Sequence, residues 1–364
     1  MEHAFGSQFT VGIEEELLLV DPETHLLTPI AAQVLAAMGA PEATASHEAY
    51  AAQIELRSPP SRDAAEAGDA LRSARAAARA AGATLMGVGL HPADTDGDSE
   101  IVDSERYHRV ARMMRGLFAR TPEAALHVHV GMPDPQTAIR AFNGLRSHLP
   151  LLQALSANSP WWFGRDSGLA SARYALVRTY PGRGVPAAFP DFDAYVQATE
   201  QTLAAGGIDE YTLLWWDVRP HPKLGTVELR EMDAQTSVED AAALGALVQG
   251  LALEGAEARV RHAPPSDTIA MSTFRAARDG LDATILDSGA LAPVRQVARA
   301  TVERVRSQVR ELGSDAPLDG IERILATGGG AGRQRAAHER GGMREALDQL
   351  VRETSDETAR KPAS

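Results

Sequence analysis

Acidic and imidazole side chains alternate with other residues in two otherwise apolar segments of the sequence. Glu14 and Glu16 lie within GIEEELLLV, and His127 and His129 lie within LHVHVG. Alternate residues of a β-strand point to the same face of a sheet, so each pair would share a face. Neighbouring carboxylates repel each other unless a cation lies between them, and paired imidazoles are common metal or phosphate ligands. The pairs predict a cation site; a solvated strand face and structural histidines are the alternatives.

A third acidic group comes from the segment that leads into LRSPP. It contains Glu48, Gln53 and Glu55, and Glu55 lies between Ile54 and Leu56 in a short predicted strand. The side chain of Glu55 would therefore point away from those two apolar neighbours. This pattern is compatible with a metal ligand and equally with an acid on an exposed sheet edge.

A fourth group pairs an acid with a base on one predicted strand. Glu228 and Arg230 are two residues apart in TVELREMD and would share a strand face. A carboxylate suited to a metal ion would then lie beside a guanidinium suited to phosphate oxygens. An ion pair on the surface of the sheet would give the same spacing.

Arginine and glycine are concentrated in two further segments. Residues 171–186, SARYALVRTYPGRGVP, carry three arginines near glycine and proline, so this loop could clamp an anionic substrate or simply be a charged surface loop. Residues 327–335, TGGGAGRQR, resemble a glycine-rich anion loop. That segment lacks the lysine and hydroxyl of a nucleotide-binding P-loop and does not follow a predicted strand, so its signal is weak.

The amino-acid composition and net charge exclude several kinds of site and argue against some partners. The chain of 364 residues has no cysteine, which excludes disulfides, thiolate zinc sites, iron–sulfur clusters and a cysteine nucleophile. Its net charge of −13 argues against nucleic acid or an anionic membrane as the main partner. Any metal must therefore bind to oxygen or imidazole ligands, and the oxygen-rich set favours Mg²⁺ or Mn²⁺. Two such ions bridging phosphates could bind ATP without a P-loop.

Strands are predicted in the first two thirds of the chain and helices in the last third. Two hairpins are expected, with turns at residues 21–24 and 220–225. The predicted strands are 9–20, 52–57, 83–90, 124–130, 211–219 and 225–231. The predicted helices are 61–81, 104–119, 135–157, 191–205 and most of the chain from 238 to 353.

This order of elements predicts an α+β fold with a mainly antiparallel sheet and a helical C-terminal third. We expect residues 1–354 to form a single domain and the polar residues 355–364 to be a disordered tail. Neither a signal peptide nor an apolar segment long enough to span a bilayer is evident, so a cytoplasmic location is expected.

Five segments, taken in order, resemble the type 2 glutamate–cysteine ligase family, in particular its YbdK-like carboxylate–amine ligase branch. They are GIEEELLLVD at 12–21, residues 48–59, residues 127–131, residues 171–189 and WDVRPHPKLGTVELREMD at 216–233. The resemblance implies a glutamine-synthetase-like catalytic fold, in which the antiparallel sheet forms one wall of a funnel that holds Mg²⁺, ATP and an acid.

The resemblance also assigns roles to individual residues. Arg230 would contact the phosphates of ATP, Arg173 the substrate carboxylate, and Arg219 is a second candidate for the nucleotide. The implied metal ligands are carboxylates with one of two histidines beside them: Glu14, Glu16, Glu48, Glu55, Glu228, and His127 or His129. Glu15 or Asp233 is a guess for the general base that accepts the proton of the amine.

The implied reaction joins an acid to an amine through an acyl phosphate, with glutamate plus cysteine or a related amine as substrates. A homodimer is also implied. Two alternatives remain open at this point. The first is a metal-dependent hydrolase that uses His127, His129 and nearby carboxylates, and the second is a non-catalytic protein with the ligase fold.

Overall fold

The structure is a computed structural model that describes residues 3–94, 99–118, 120–257 and 263–355. Its main sheet is antiparallel and has the strand order β2-β3-β1-β5-β9-β8, with β4 pairing to β1. Two separate hairpins, β6-β7 and β10-β11, lie outside this sheet. The strands are β1 (Val11–Leu19), β2 (Ala45–His47), β3 (Gln53–Arg57), β4 (Leu85–Met86), β5 (Ala125–Gly131), β6 (Trp161–Trp162), β7 (Arg165–Asp166), β8 (Val218–His221), β9 (Thr226–Asp233), β10 (Thr284–Asp287) and β11 (Ala290–Pro293).

Helices cover one face of the main sheet. Apolar strand residues such as Ile13, Val128 and Leu229 share a core with α2, α4 and α7, and α7 is buried along almost its whole length. The helices are α1 (Ala31–Met38), α2 (Ala64–Ala80), α3 (Glu105–Met114), α4 (Pro135–Ser156), α5 (Ala172–Val177), α6 (Phe192–Gly206), α7 (Val238–Glu257), α8 (Ser266–Asp279), α9 (Val294–Glu311), α10 (Asp315–Leu318), α11 (Gly320–Thr327) and α12 (Gly329–Ser355).

The alternation of apolar and polar residues decides which side chains face the helices. Ile13 and Leu17 of β1 point into the helix-packed core, so Glu14 and Glu16 point to the other face. The register places Glu16 opposite Glu55 and Glu14 opposite His127. The face that the helices leave uncovered therefore carries a block of acidic and imidazole side chains.

The predicted α+β class, the antiparallel sheet and both hairpins are confirmed. The predicted strand 211–219 is wrong over most of its length, because residues 211–213 form a 3₁₀ helix and the strand begins only at Val218. The predicted strand 83–90 is reduced to Leu85–Met86. Helix 104–119 also ends earlier than predicted, at Met114.

Three other local predictions need correction. Residues 171–186 are not all loop, because α5 begins directly after Ser171, whose side chain accepts a hydrogen bond from the N–H of Tyr174. The C-terminal third is not wholly helical, because β10 and β11 interrupt it. Ser355 belongs to α12 rather than to a tail, and residues 356–364 lie outside the described residues.

Among the described residues, no helix combines the length and the apolar character that crossing a bilayer would require.

Candidate active site

A cavity of about 830 Å³ lies against the polar face of the sheet. Every residue that the sequence predicted as a ligand of metal, nucleotide or substrate lines this cavity: Glu14, Glu16, Glu48, Glu55, His127, His129, Arg173, Arg219, Glu228 and Arg230. These side chains come from β1, the turn after β2, and from β3, β5, α5, β8 and β9. The predicted convergence of distant residues on one pocket is therefore present in the structure.

Two groups of potential metal ligands lie side by side in the cavity. Glu14, Glu55 and His127 form one group, and Glu16, Glu48 and Glu55 form the other; within each group the ligand atoms lie within 4.8 Å of one another. Glu55 belongs to both groups. Adjacent β3, β1 and β5 position four of the five residues, since pairing places Glu55 beside Glu16 and Glu14 beside His127.

The carboxylates of the two groups differ in electrostatic environment. Burial and the neighbouring charge of Glu48 raise the pKa of Glu16 to about 8. Burial also raises the pKa of Glu48. Burial opposes ionisation of Glu14 as well, yet the imidazoles of His129 and His127 lower its pKa well below the usual value. The Glu16–Glu48 pair thus lacks sufficient positive charge, as expected where a cation is needed.

The two histidines also differ. Burial, reinforced by Arg230, lowers the pKa of His127 to about 3, so its imidazole is neutral and able to bind a metal. Its buried Nδ1 has no hydrogen-bond partner within the described ranges and lies 3.6 Å from Glu14 Oε2. Burial opposes protonation of His129 too, but Glu14 and Glu228 raise its pKa. His127 is therefore the better placed of the two for metal binding.

Glu228 lies outside both ligand groups and contacts arginine on two sides. The Nε atom of Arg219 lies 2.6 Å from Glu228 Oε2, and Arg230 pairs with the other carboxylate oxygen. Arg219 also donates to the carbonyl oxygens of Thr212 and Leu214, so most of its N–H groups are satisfied within the protein. Arg219 therefore positions Glu228, whereas the buried Nε of Arg230 has no hydrogen-bond partner among the described residues.

A β-bulge in β9 sets the position of Arg230. Leu126 pairs with Met232 while Val128 pairs with Leu229, so β9 has one more residue than β5 between these two pairs. Arg230 and Glu231 together lie opposite His127. Bulges of this kind are frequent beside active sites because they redirect side chains. Simple alternation along the sequence could not show this change of register.

Arg173 lies at the start of α5 and contacts β9. Its Nη1 donates to the carbonyl oxygen of Glu231 at 2.9 Å and lies 3.6 Å from Asp233 Oδ1. No residue in the described part of the chain forms a hydrogen bond with its buried Nε. The predicted arginine for the substrate carboxylate is thus held firmly and keeps one free donor.

The two residues suggested for the general base, Glu15 and Asp233, lie away from the cavity. Glu15 points to the helix-packed face, where it forms two hydrogen bonds of 2.7 Å with Arg75. Asp233 accepts hydrogen bonds from the side chains of Ser159 and Ser171 and is fully buried. Neither residue lines the cavity of the described chain. Both are structural groups.

Several cavity residues were not predicted individually. Arg57 pairs with Glu55 and lies 3.6 Å from Glu14 Oε1; its position two residues after Glu55, as Arg230 follows Glu228, was the available signal. Glu123, which Arg120 and the hydroxyl of Tyr180 contact, could be found only from long-range packing. A group of aromatic rings also lines the cavity: Tyr50, Tyr107, Phe118, Tyr180 and Trp215.

Comparison with known sequences places this cavity in a family. The profile of glutamate–cysteine ligase family 2 matches residues 10–353. Two proteins of Rubrobacter xylanophilus, provisionally named glutamate–cysteine ligase 2-1 and 2-3, are 38% and 40% identical to the chain. These alignments cover 93% and 98% of this chain and 92% and 100% of the two relatives.

Solved structures share the fold at low sequence identity. Glutamate–cysteine ligase from Francisella tularensis in complex with AMP has a TM-score of 0.66 at 12% identity, and the match covers 98% of this chain and 91% of that one. A bifunctional glutathione synthetase from Pasteurella multocida has a TM-score of 0.67 at 14% identity, covering 96% of this chain and 52% of that one. The chain therefore belongs to glutamate–cysteine ligase family 2, and with it to the ATP-dependent ligases that join a carboxylate to an amine.

Proposed function

We propose that the protein uses ATP to activate the side-chain carboxylate of glutamate, or of a related acid, and joins it to cysteine or a related amine. The names of the Rubrobacter relatives support this choice of substrates. The observation that carries the proposal is the convergence of two acidic groups, joined at Glu55, on a cavity that also holds arginines with free N–H donors.

The residues fit Mg²⁺, with Mn²⁺ as an alternative. Most donors are hard carboxylate oxygens, and burial raises the pKa of Glu16 and of Glu48 despite the nearby arginines. Within the described chain, the buried Nδ1 of His127 has no hydrogen-bond partner. Glu14, Glu55 and His127 would hold one ion, and Glu16, Glu48 and Glu55 a second. Bound there, the ions would offset negative charge on the phosphate groups of ATP.

The arginines of the cavity would orient the two anionic substrates. Arg230, held by Glu228, would direct its free Nε–H at a phosphate oxygen, and Arg173 would bind a carboxylate of the acid. A carboxylate oxygen of the acid would attack the γ-phosphorus of ATP, giving an acyl phosphate and releasing ADP. The amine would then attack the acyl carbon, releasing phosphate and a proton and leaving the amide. No protein nucleophile is required, which suits a chain without cysteine.

Phosphate release with a panel of acids and amines tests this proposal. The purified chain with ATP, MgCl₂, glutamate and cysteine should release phosphate and form γ-glutamylcysteine. Hydroxylamine in place of cysteine should trap the activated acid as a hydroxamate. Activity with glutamate and other amines, but not with cysteine, would exclude cysteine as the amine substrate. It would still support the proposed ligase activity.

A hydrolase would behave differently in the same assay. It would turn over its substrate without nucleotide, since a metal-activated water needs no phosphoryl donor. Turnover without ATP, together with no product when ATP is added to acid and amine, would therefore contradict the ligase proposal.

A further inference from the structure

Asp217 contacts two arginines that line the cavity. Its backbone carbonyl oxygen contacts Arg230, and its carboxylate contacts Arg183. It is fully buried. Its N–H donates to the carbonyl oxygen of Gly184 at 3.0 Å, and its own carbonyl oxygen accepts from the N–H of Arg230 at 2.8 Å. Its Oδ2 lies 2.8 Å from Nη1 of Arg178, and its Oδ1 lies 3.2 Å from Nε of Arg183. One residue thus ties the loop after α5 to the strand that carries Arg230.

The two arginines that pair with the carboxylate of Asp217, Arg178 and Arg183, have different surroundings. Arg183 lines the cavity, and its Nη2 donates to the carbonyl oxygen of Arg230 at 3.2 Å. Arg178 is not among the described residues that line the cavity; its guanidinium lies over the ring of Tyr174, 4.2 Å from the ring centroid. Arg183 is therefore the one of the pair that a substrate can reach.

This side of the cavity has a concentration of positive charge. Arg173, Arg183 and Arg230 all line it, and the buried Nε atoms of Arg173 and Arg230 have no hydrogen-bond partner in the described part of the chain. Burial lowers the pKa of Arg183 to about 9, and the charges of nearby arginines, Arg173 first, act in the same direction. An anion bound here would relieve that repulsion.

Two anions of the reaction could bind to these arginines: a phosphate of ATP or a carboxylate that does not react. Arg230 lies on the sheet and pairs with Glu228, whereas Arg173 belongs to α5 and Arg183 to the loop that follows it. Two adjacent guanidinium forks suit the planar geometry of a carboxylate.

We propose that Arg183, positioned by Asp217, acts with Arg173 to bind a second carboxylate of the acid substrate, so that the enzyme selects dicarboxylic acids such as glutamate. This inference rests on the proposed function. It extends that function by naming the substrate feature that is recognised and a positioning residue, Asp217, that touches no substrate itself.

The test compares glutamate with 4-aminobutyrate, which has the same chain without the α-carboxylate, using hydroxylamine as the amine. The wild-type enzyme should prefer glutamate. Arg183→Met should raise KM for glutamate about 10- to 100-fold, the range expected for a lost charge-assisted hydrogen bond, and should abolish the preference. KM for ATP should not change. Arg183→Lys should recover only part of the preference, because lysine cannot bind a carboxylate bidentately.

Asp217→Asn tests positioning. It should shift the glutamate preference in the same direction as Arg183→Met, and the double variant should be no worse than Arg183→Met alone. Arg178→Met is the matched control, because Arg178 contacts the same carboxylate outside the cavity; it should lower Tm and leave the preference intact.

Two outcomes would overturn the inference while leaving the ligase in place. The first is an active wild-type enzyme whose preference for glutamate survives Arg183→Met. The second is a rise in KM for ATP alone, which would assign Arg183 to the triphosphate. A wild-type enzyme that forms no ATP-dependent product with any acid would instead defeat the proposed function itself.

Discussion

Glu55 is the residue at which the two acidic groups of the cavity meet. It contributes an oxygen to the group with Glu14 and His127 and to the group with Glu16 and Glu48. Its neighbour Arg57 partly neutralises it. If both groups bind metal, a change at Glu55 would affect both ions at once, whereas a change at Glu14 or Glu48 would affect one.

We expect Glu55→Gln to reduce ligase activity at least about 100-fold, since loss of even an outer-shell partner of a metal site can cost that much. The remaining activity should need more Mg²⁺ than the wild-type enzyme. Rates measured over a series of MgCl₂ concentrations check this. Glu42→Gln is the control, because Glu42 lines the cavity outside both groups. Equal effects of the two substitutions would contradict the shared-ligand role.

Glu15 lies between Glu14 and Glu16 in the sequence, but its side chain contributes to stability. It is fully buried, and it pairs with Arg75, which is only 2% exposed. Removing one partner of a buried pair leaves the other charge uncompensated, so Glu15→Gln should lower the free energy of unfolding by about 3–5 kcal/mol. The folded fraction should keep its KM values. Urea denaturation together with kinetics at low temperature checks both points.

Glu322→Gln provides the control for Glu15→Gln. Glu322 forms a similar two-point contact with Arg299, but on the surface. Such exposed pairs contribute little, so no comparable loss of stability is expected. A strong rise in KM for the amine in Glu15→Gln, without loss of stability, would restore Glu15 as a candidate base.

At the scale of elements, the start of α12 explains a segment that the sequence left ambiguous. Residues 327–335 resemble an anion loop in composition, but the structure shows the end of α11 and the first turns of α12. Gly330 is needed there because a Cβ atom would lie 2.1 Å from Asn158 Oδ1. Asn158 cannot easily move, since Gln334 and the carbonyl oxygen of Gly87 also hold its side chain.

Gly330→Ala should therefore destabilise the protein by roughly 1–3 kcal/mol, the usual cost of overpacking. KM for ATP should stay unchanged. Gly332→Ala should be neutral or stabilising by up to about 1 kcal/mol, because its Cβ would meet no atom within 4 Å and alanine favours helix. Thermal unfolding and ATP titration check the pair. A raised KM for ATP in both variants would revive the anion-loop interpretation.

The sequence predicts the faces of elements better than their ends. Alternation correctly placed Glu14, Glu16, His127 and His129 on one side of the sheet, because strand geometry has a period of two. It could not place the bulge at Arg230, which depends on pairing with a distant strand. The late start of β8, at Val218, likewise depends on tertiary contacts, since Arg219 donates to carbonyl oxygens of the preceding turn.

At the scale of the whole molecule, the site depends on pairing that is not local. The strand order β2-β3-β1-β5-β9-β8 brings Glu55 and Glu228 to one cavity although they are far apart in the chain. Periodicity alone cannot choose such an order, and the resemblance to a known family supplied this part of the prediction. The homodimer, the single domain and the cytoplasmic location stay predictions.

The cavity should also link nucleotide binding to the stability of the whole molecule. Without divalent ions, its carboxylates should repel a triphosphate. ATP with Mg²⁺ at about 100 times Kd should stabilise the fold by about 2.7 kcal/mol and raise Tm by a few degrees, whereas ATP with EDTA should not. Differential scanning fluorimetry checks this. An equal rise in Tm with EDTA would contradict the role of the ions.

The central claim is that ATP phosphorylates the carboxylate of the acid within this cavity. The most direct measurement uses glutamate labelled with ¹⁸O in its side-chain carboxylate and follows the label into inorganic phosphate by mass spectrometry. Each turnover should transfer one ¹⁸O atom from glutamate to phosphate, because the acyl phosphate breaks at its carbonyl carbon. Formation of the amide with no ¹⁸O in the phosphate, the lost label appearing in water instead, would contradict the account.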